Sequence, residues 1–119
     1  MNNDCTIYKT TEFIGKRWTL LILLELYKGD FKKKRYSELK NSLDRITPKI
    51  LSTRLKELAK EGMIKKDIDA SKFPIKCEYS LTESGMDFIK IIKDMKKWAL
   101  KWNVQNKVCS ESNCNNCEF

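Results

Sequence analysis

The side chains able to do chemistry in this sequence are lysines, hydroxyls and thiols. Between Thr47 and Gly62, Lys49, Ser52, Thr53, Lys56 and Lys60 are interleaved with leucines. Long cationic donors of this kind reach purine N7 and O6, while short hydroxyls approach phosphates and base edges. A second group, Lys72 and Lys76 flanking Phe73 and Pro74, suits contact with a nucleic-acid backbone or a minor groove. Arg35, Ser37 and Thr47 add a cation and two hydroxyls at the starts of expected helices. The chain has no histidine, so Ser-His-Asp and Cys-His nucleophile pairs and every imidazole metal site are excluded. No motif implies a substrate or an organic cofactor, and no enzyme is expected.

The thiols form a separate problem. Cys5, Cys77, Cys109, Cys114 and Cys117 are an odd number in a chain with a cytosolic look, which favours free, reactive or metal-bound thiols over a disulfide framework. Cys109, Cys114 and Cys117 are spaced C-x4-C-x2-C, part of the spacing of some iron–sulfur sites. A fourth ligand is missing locally, so a metal site needs Cys5 or Cys77 from one subunit or the other. The other reading of this segment is an oxidisable polar tail. Cys5 is a candidate redox sensor if nearby cations such as Lys9, Lys16 or Arg17 stabilise its thiolate; the alternative is a quiet thiol at a subunit seam.

Length and charge narrow the partner. The 119 residues are 41% hydrophobic and 34% charged, with 4 Gly and 2 Pro, which suits one domain with one core. The formal charge of +8 sits entirely in residues 31–66, which hold 12 Lys or Arg against 4 Asp or Glu. Such a surface favours a polyanion. The opening MNNDCTIYKT has no signal-peptide core, and the longest apolar stretch, Leu20 to Leu24, is far too short to span a bilayer. The expectation is a cytoplasmic protein without a membrane partner.

Specific elements must carry these residues. Apolar positions from Thr10 to Tyr27 follow helical spacing with a break at Gly15, and Gly29 and Asp30 close the segment. Ser37 is expected to cap a short helix starting at Tyr36-Ser37-Glu38-Leu39. Thr47-Pro48 opens the next helix and Gly62 stops it. On a wheel of about 100° per residue, Leu55 and Leu58 fall near Leu51, while Lys49, Thr53, Lys56 and Lys60 gather at the opposite pole with Ser52 beside them. Met63 to Asp69 and Cys77 to Leu81 read as two strands. A long last helix begins at Thr82-Glu83-Ser84, and its apolar stripe from Met86 to Trp102 is too wide for one neighbour.

The order of these elements is mainly α with a small β-hairpin wing, that of a winged helix-turn-helix. Ile14-Gly15-Lys16-Arg17-Trp18, Tyr36-Ser37-Glu38-Leu39, the block from Ile46 to Leu58, Gly62, and Glu78-Tyr79-Ser80-Leu81-Thr82-Glu83-Ser84-Gly85, with Cys5 before them, resemble the HxlR-type transcriptional regulators from Cys5 to about Trp98. The resemblance implies a homodimer joined through its N- and C-terminal helices. It also implies binding to a double-stranded operator through the helix after Pro48 and the wing, and a sensing role at the position matching Cys5 in some members. Two segments depart from the family pattern: the basic link Phe31–Arg35, suited to phosphate contacts, and the tail after Val104. The expected organisation is a DNA-binding and dimerisation domain over 1–105 with a Cys-rich polar tail over 106–119. A protein-interaction winged-helix module and a thiol- or metal-binding redox protein are the competing classes, and each leaves the basic helix or the tail without a purpose.

Overall fold

The helix boundaries follow local chemistry. In the computed structural model, which describes residues 2–29, 32–103, 107–111 and 113–116, α1 (Thr6–Ile14) ends at Gly15 and α2 (Thr19–Tyr27) follows after a short turn. α3 (Tyr36–Ser42) and α4 (Pro48–Lys60) are joined by a turn containing Ile46, whose side chain is buried. Thr47 caps α4, its hydroxyl oxygen accepting the Ile50 amide at 3.2 Å, and Pro48 occupies the first turn, where no amide is needed. Gly62 ends the segment with φ +76°, a backbone conformation open to glycine without a Cβ penalty.

A three-stranded antiparallel sheet follows the order β1-β3-β2, with β1 Lys33–Arg35, β2 Ile64–Asp69 and β3 Lys76–Leu81. β2 and β3 form the wing hairpin, in register from Ile64 opposite Leu81 to Asp69 opposite Lys76. β1 is not the basic link expected from sequence. It pairs with β3, Lys33 opposite Ser80 and Arg35 opposite Glu78.

α5 (Glu83–Trp102) starts at Thr82, whose hydroxyl oxygen accepts the Gly85 amide at 3.3 Å. Gly85 is a close approach: a Cβ there would lie 2.2 Å from the Met63 carbonyl oxygen, so only glycine lets α5 dock against the start of β2. The core runs from Ile22, Leu23 and Leu26 of α2 through Leu39, Leu51, Leu55 and Leu58 to Leu81, Ile89 and Ile92. It holds α3 and α4 against the sheet as one head, while α5 leaves that head carrying outward-facing apolar side chains.

The tail has structure beyond the sequence expectation. α6 (Lys107–Glu111) and a 3-10 turn at Cys114–Asn116 fold back onto the molecule. The Gly29 amide donates to the Asn115 carbonyl at 3.3 Å, and Lys96 Nζ lies 3.8 Å from Cys114 Sγ.

Candidate nucleic-acid interface

α4 has two sides of opposite character. Leu51, Leu55 and Leu58 are buried, whereas Lys49, Thr53, Lys56 and Lys60 are exposed, as the helical wheel requires. Ser52 is half-buried and its hydroxyl lies 3.5 Å from the Tyr36 hydroxyl. Thr53 Oγ1 donates to the Lys49 carbonyl at 2.8 Å, which leaves its oxygen lone pairs outward as acceptors.

The helix is braced from behind by residues that charge counting does not single out. Tyr36 Oη donates to the Pro48 carbonyl at 3.0 Å, pinning the first turn of α4 to the start of α3. On the far flank, Arg54 Nε donates to the Arg17 carbonyl at 3.1 Å and its Nη1 reaches Glu57 Oε1 at 2.9 Å, while Lys16 Nζ also donates to Glu57. The hydrogen bond from Lys16, against a smaller opposing effect of burial and with Arg54 beside it, holds the Glu57 carboxyl below the usual carboxylate range. Arg54, Glu57 and Lys16 therefore fix the angle of α4. The long-range closeness of the two segments was the missing information; the i, i+3 spacing of Arg54 and Glu57 was its one local trace.

Four expected contact residues converge elsewhere. Arg35 and Ser37 at the start of α3, together with Lys72 and Lys76 of the wing, line one cleft of about 480 Å³ whose floor includes Tyr36. Ser37 does not cap α3 as expected. The Glu38 carboxylate reaches back to accept the Arg35 amide at 2.9 Å, which frees the exposed Ser37 hydroxyl for other partners. Lys72 is exposed, and Lys76 is half-buried with Nζ 3.5 Å from Glu78 Oε1. The basic link also divides. Lys33 and Arg35 are exposed, but Lys34 Nζ donates to the Lys28 carbonyl and Lys32 Nζ sits 4.2 Å over the Tyr27 ring, so these two serve the fold.

The thiols are placed differently from the cationic residues. Cys5 is half-buried at the N-cap of α1. The cations expected beside it have other partners: Lys9 lies 3.9 Å from Asp4, Lys16 bonds Glu57, and the Arg17 guanidinium lies 4.9 Å over the Trp18 ring. Cys109 and Cys114 line an apolar groove of about 550 Å³ between α2, the α3–α4 turn and α5. Cys117 lies outside the described residues, and among those described no group of three Cys, Asp or Glu is placed to hold a metal ion. Among the described residues, no helix is long and apolar enough to cross a membrane.

Comparison with known proteins agrees with this geometry. A family model described as HxlR-like helix-turn-helix matches residues 13–107. YvaP of Bacillus subtilis, an uncharacterized HTH-type transcriptional regulator, is 37% identical over 94 residues, covering 79% of this chain and 83% of its own. The reduced form of the transcriptional regulator YodB from B. subtilis superposes with a TM-score of 0.73 at 29% identity, over 87% of this chain and 98% of that one. The redox regulator HypR in its oxidized form gives a TM-score of 0.71 at 30% identity, over 82% and 96%.

Proposed function

This chain belongs to the HxlR-like helix-turn-helix family and is a DNA-binding transcriptional regulator of the winged-helix type, and from that premise we propose how it reads DNA. Each subunit lays α4 in a major groove with Lys49, Ser52, Thr53 and Lys56 toward the bases and backbone, and Thr47 at the helix start beside a phosphate. Arg35, Ser37, Lys72 and Lys76 hold the flanking strand. The observation that carries this reading is the pairing of an exposed lysine-and-hydroxyl face on α4 with a cationic cleft shared by α3 and the wing.

The regulator acts in the cytoplasm as a homodimer on a pseudopalindromic operator, with α4 and its mate about 34 Å apart, one turn of DNA. Support comes from α5, where Ile91, Met95, Trp98 and Trp102 are exposed along one face, and from Ile7 on α1, exposed as well. Apolar surface on this scale at two helices is characteristic of an association face. Residues 1–105 make up the reading and dimerising unit, and 106–119 are an appended tail.

Lys56→Ala tests the DNA reading. Its binding should weaken, and the slope of log affinity against log salt should fall by about 0.9 for each phosphate no longer neutralised, about 1.8 per dimer. Titrations between low and physiological salt measure it, and an unchanged slope would remove Lys56 from the interface.

Thiol regulation at Cys5 is proposed on the similarity to YodB and HypR, the second named as a redox regulator. Alkylation is expected to lower operator affinity of the native protein by about tenfold, the scale of a modest coupling free energy, and to leave Cys5→Ser unaffected. Equal responses in both proteins would assign the effect to another cysteine.

A further inference from the structure

We propose that Phe73 is an apolar wedge which the wing drives between base pairs of the minor groove, so that this regulator kinks its operator. The inference rests on the reading of α4 and the wing as the DNA-facing surface, and it adds a residue and a deformation that reading does not contain.

The first observation is exposure. Phe73 has 101% of its reference surface in water, so it makes no use of its ring in the fold, and Ile75 and Ile68 beside it are also exposed. The core is closed without any of them. A large ring held wholly in solvent at a hairpin tip is costly to solubility unless a partner takes it up.

The second is presentation. The hairpin is in register up to Asp69 opposite Lys76, so only residues 70–75 form the tip. The Asp69 carboxylate accepts hydrogen bonds from both the amide and the hydroxyl of Ser71, which tightens the turn just before Lys72 and Phe73. The ring therefore projects from a short, anchored loop.

The third is charge, which chooses the partner. Residues 70–77 contain two lysines and no carboxylate, and the tip borders the cleft that also holds Arg35 and Ser37. A ring flanked by cations is matched to a slot flanked by phosphates. Side chains such as Phe enter between minor-groove base steps, unstack them and kink the duplex by about 20–90°. Pyrimidine–purine steps yield most easily, so sequence preference arises at positions with no hydrogen-bonded reading.

The test uses the full-length dimer and a duplex selected from a random pool by the native protein, with 2-aminopurine placed in turn at each step flanking the α4 contacts. Donor and acceptor dyes on the duplex ends report the bend. The native protein should raise 2-aminopurine emission several-fold at one symmetric pair of steps and bring the ends closer. Phe73→Ala should abolish both signals and weaken binding about tenfold while keeping the major-groove footprint. Phe73→Leu should retain both signals, and Lys72→Ala should lower the salt slope yet keep the emission change at saturation. Phe73→Ala with unaltered emission and bend overturns the wedge and leaves the α4 reading intact. A native protein that selects no duplex overturns both. A shift in the sedimentation of DNA-free protein on Phe73→Ala would instead assign the ring to a protein contact and overturn the wedge.

Discussion

Reversing Lys49 and Lys56 together to glutamate is expected to reduce operator affinity by at least about a thousandfold at physiological salt. Both side chains are exposed on the outer face of α4. A lysine paired with a base edge contributes about 1–3 kcal/mol of discrimination, and the dimer presents four such positions. The low end of that range sums to about 4 kcal/mol, close to three factors of ten. Each carboxylate also faces phosphate, so repulsion replaces attraction at every site. Folding should be spared: Leu51, Leu55 and Leu58 pack the opposite side, and an acid at position 49 favours the helix N-terminus. Binding titrations combined with thermal melts check both parts. Operator affinity within tenfold of native, in a protein that melts normally, would place the DNA on another surface.

The dimer face is the subject of the second large effect. Ile91→Glu combined with Trp98→Glu should yield a monomer near 14.0 kDa by sedimentation, where the native protein should run at about twice that mass. Ile91 and Trp98 are 55% and 59% exposed, so both carboxylates remain hydrated in the isolated subunit and the fold tolerates them. At a seam they would be two buried charges facing their symmetry mates, which costs several kcal/mol. Operator affinity should fall by more than about a hundredfold, because two half-sites are no longer engaged by one linked particle. If the doubly substituted protein stayed dimeric, the association face would have to lie elsewhere than on α5.

The two variants separate cleanly. The α4 reversal leaves the mass of the particle alone and removes its charge complementarity, whereas the α5 change leaves α4 intact and removes the second copy. A salt titration distinguishes them further. The first variant should show a flattened salt dependence even as a dimer. The second should retain per-subunit phosphate contacts but show about half the native slope.

Much of the architecture was legible along the chain because the signals are local. Thr47-Pro48 and Gly62 bracket α4 through a cap and a positive φ, each settled within a few residues. The leucine period from Leu51 to Leu58 separates a packed side from a wet side for any straight helix, so the exposure of Lys49, Thr53 and Lys56 follows from spacing alone. The excess width of the α5 stripe similarly announces a second apolar neighbour.

Other features depend on which segments meet in space. Lys32 to Arg35 read as one uniform cationic run, yet pairing of β1 with β3 sends Lys34 to the Lys28 carbonyl and leaves Lys33 in water. Arg54 and Lys60 look equivalent on a charge count, but Arg54 is committed to Glu57 and the Arg17 carbonyl. The division of α5 into Ile89 and Ile92, which face its own core, and Ile91 and Trp98, which do not, depends on where α2 lies. The same is true of the tail, whose docking through Asn115 has no periodic signature. Caps and periods are written in covalent neighbours and so survive translation from sequence to element. A lysine's destination is set by a long flexible stem whose charged end can reach solvent, a ring face or a carbonyl, and only the packed neighbours determine which of those lies within reach.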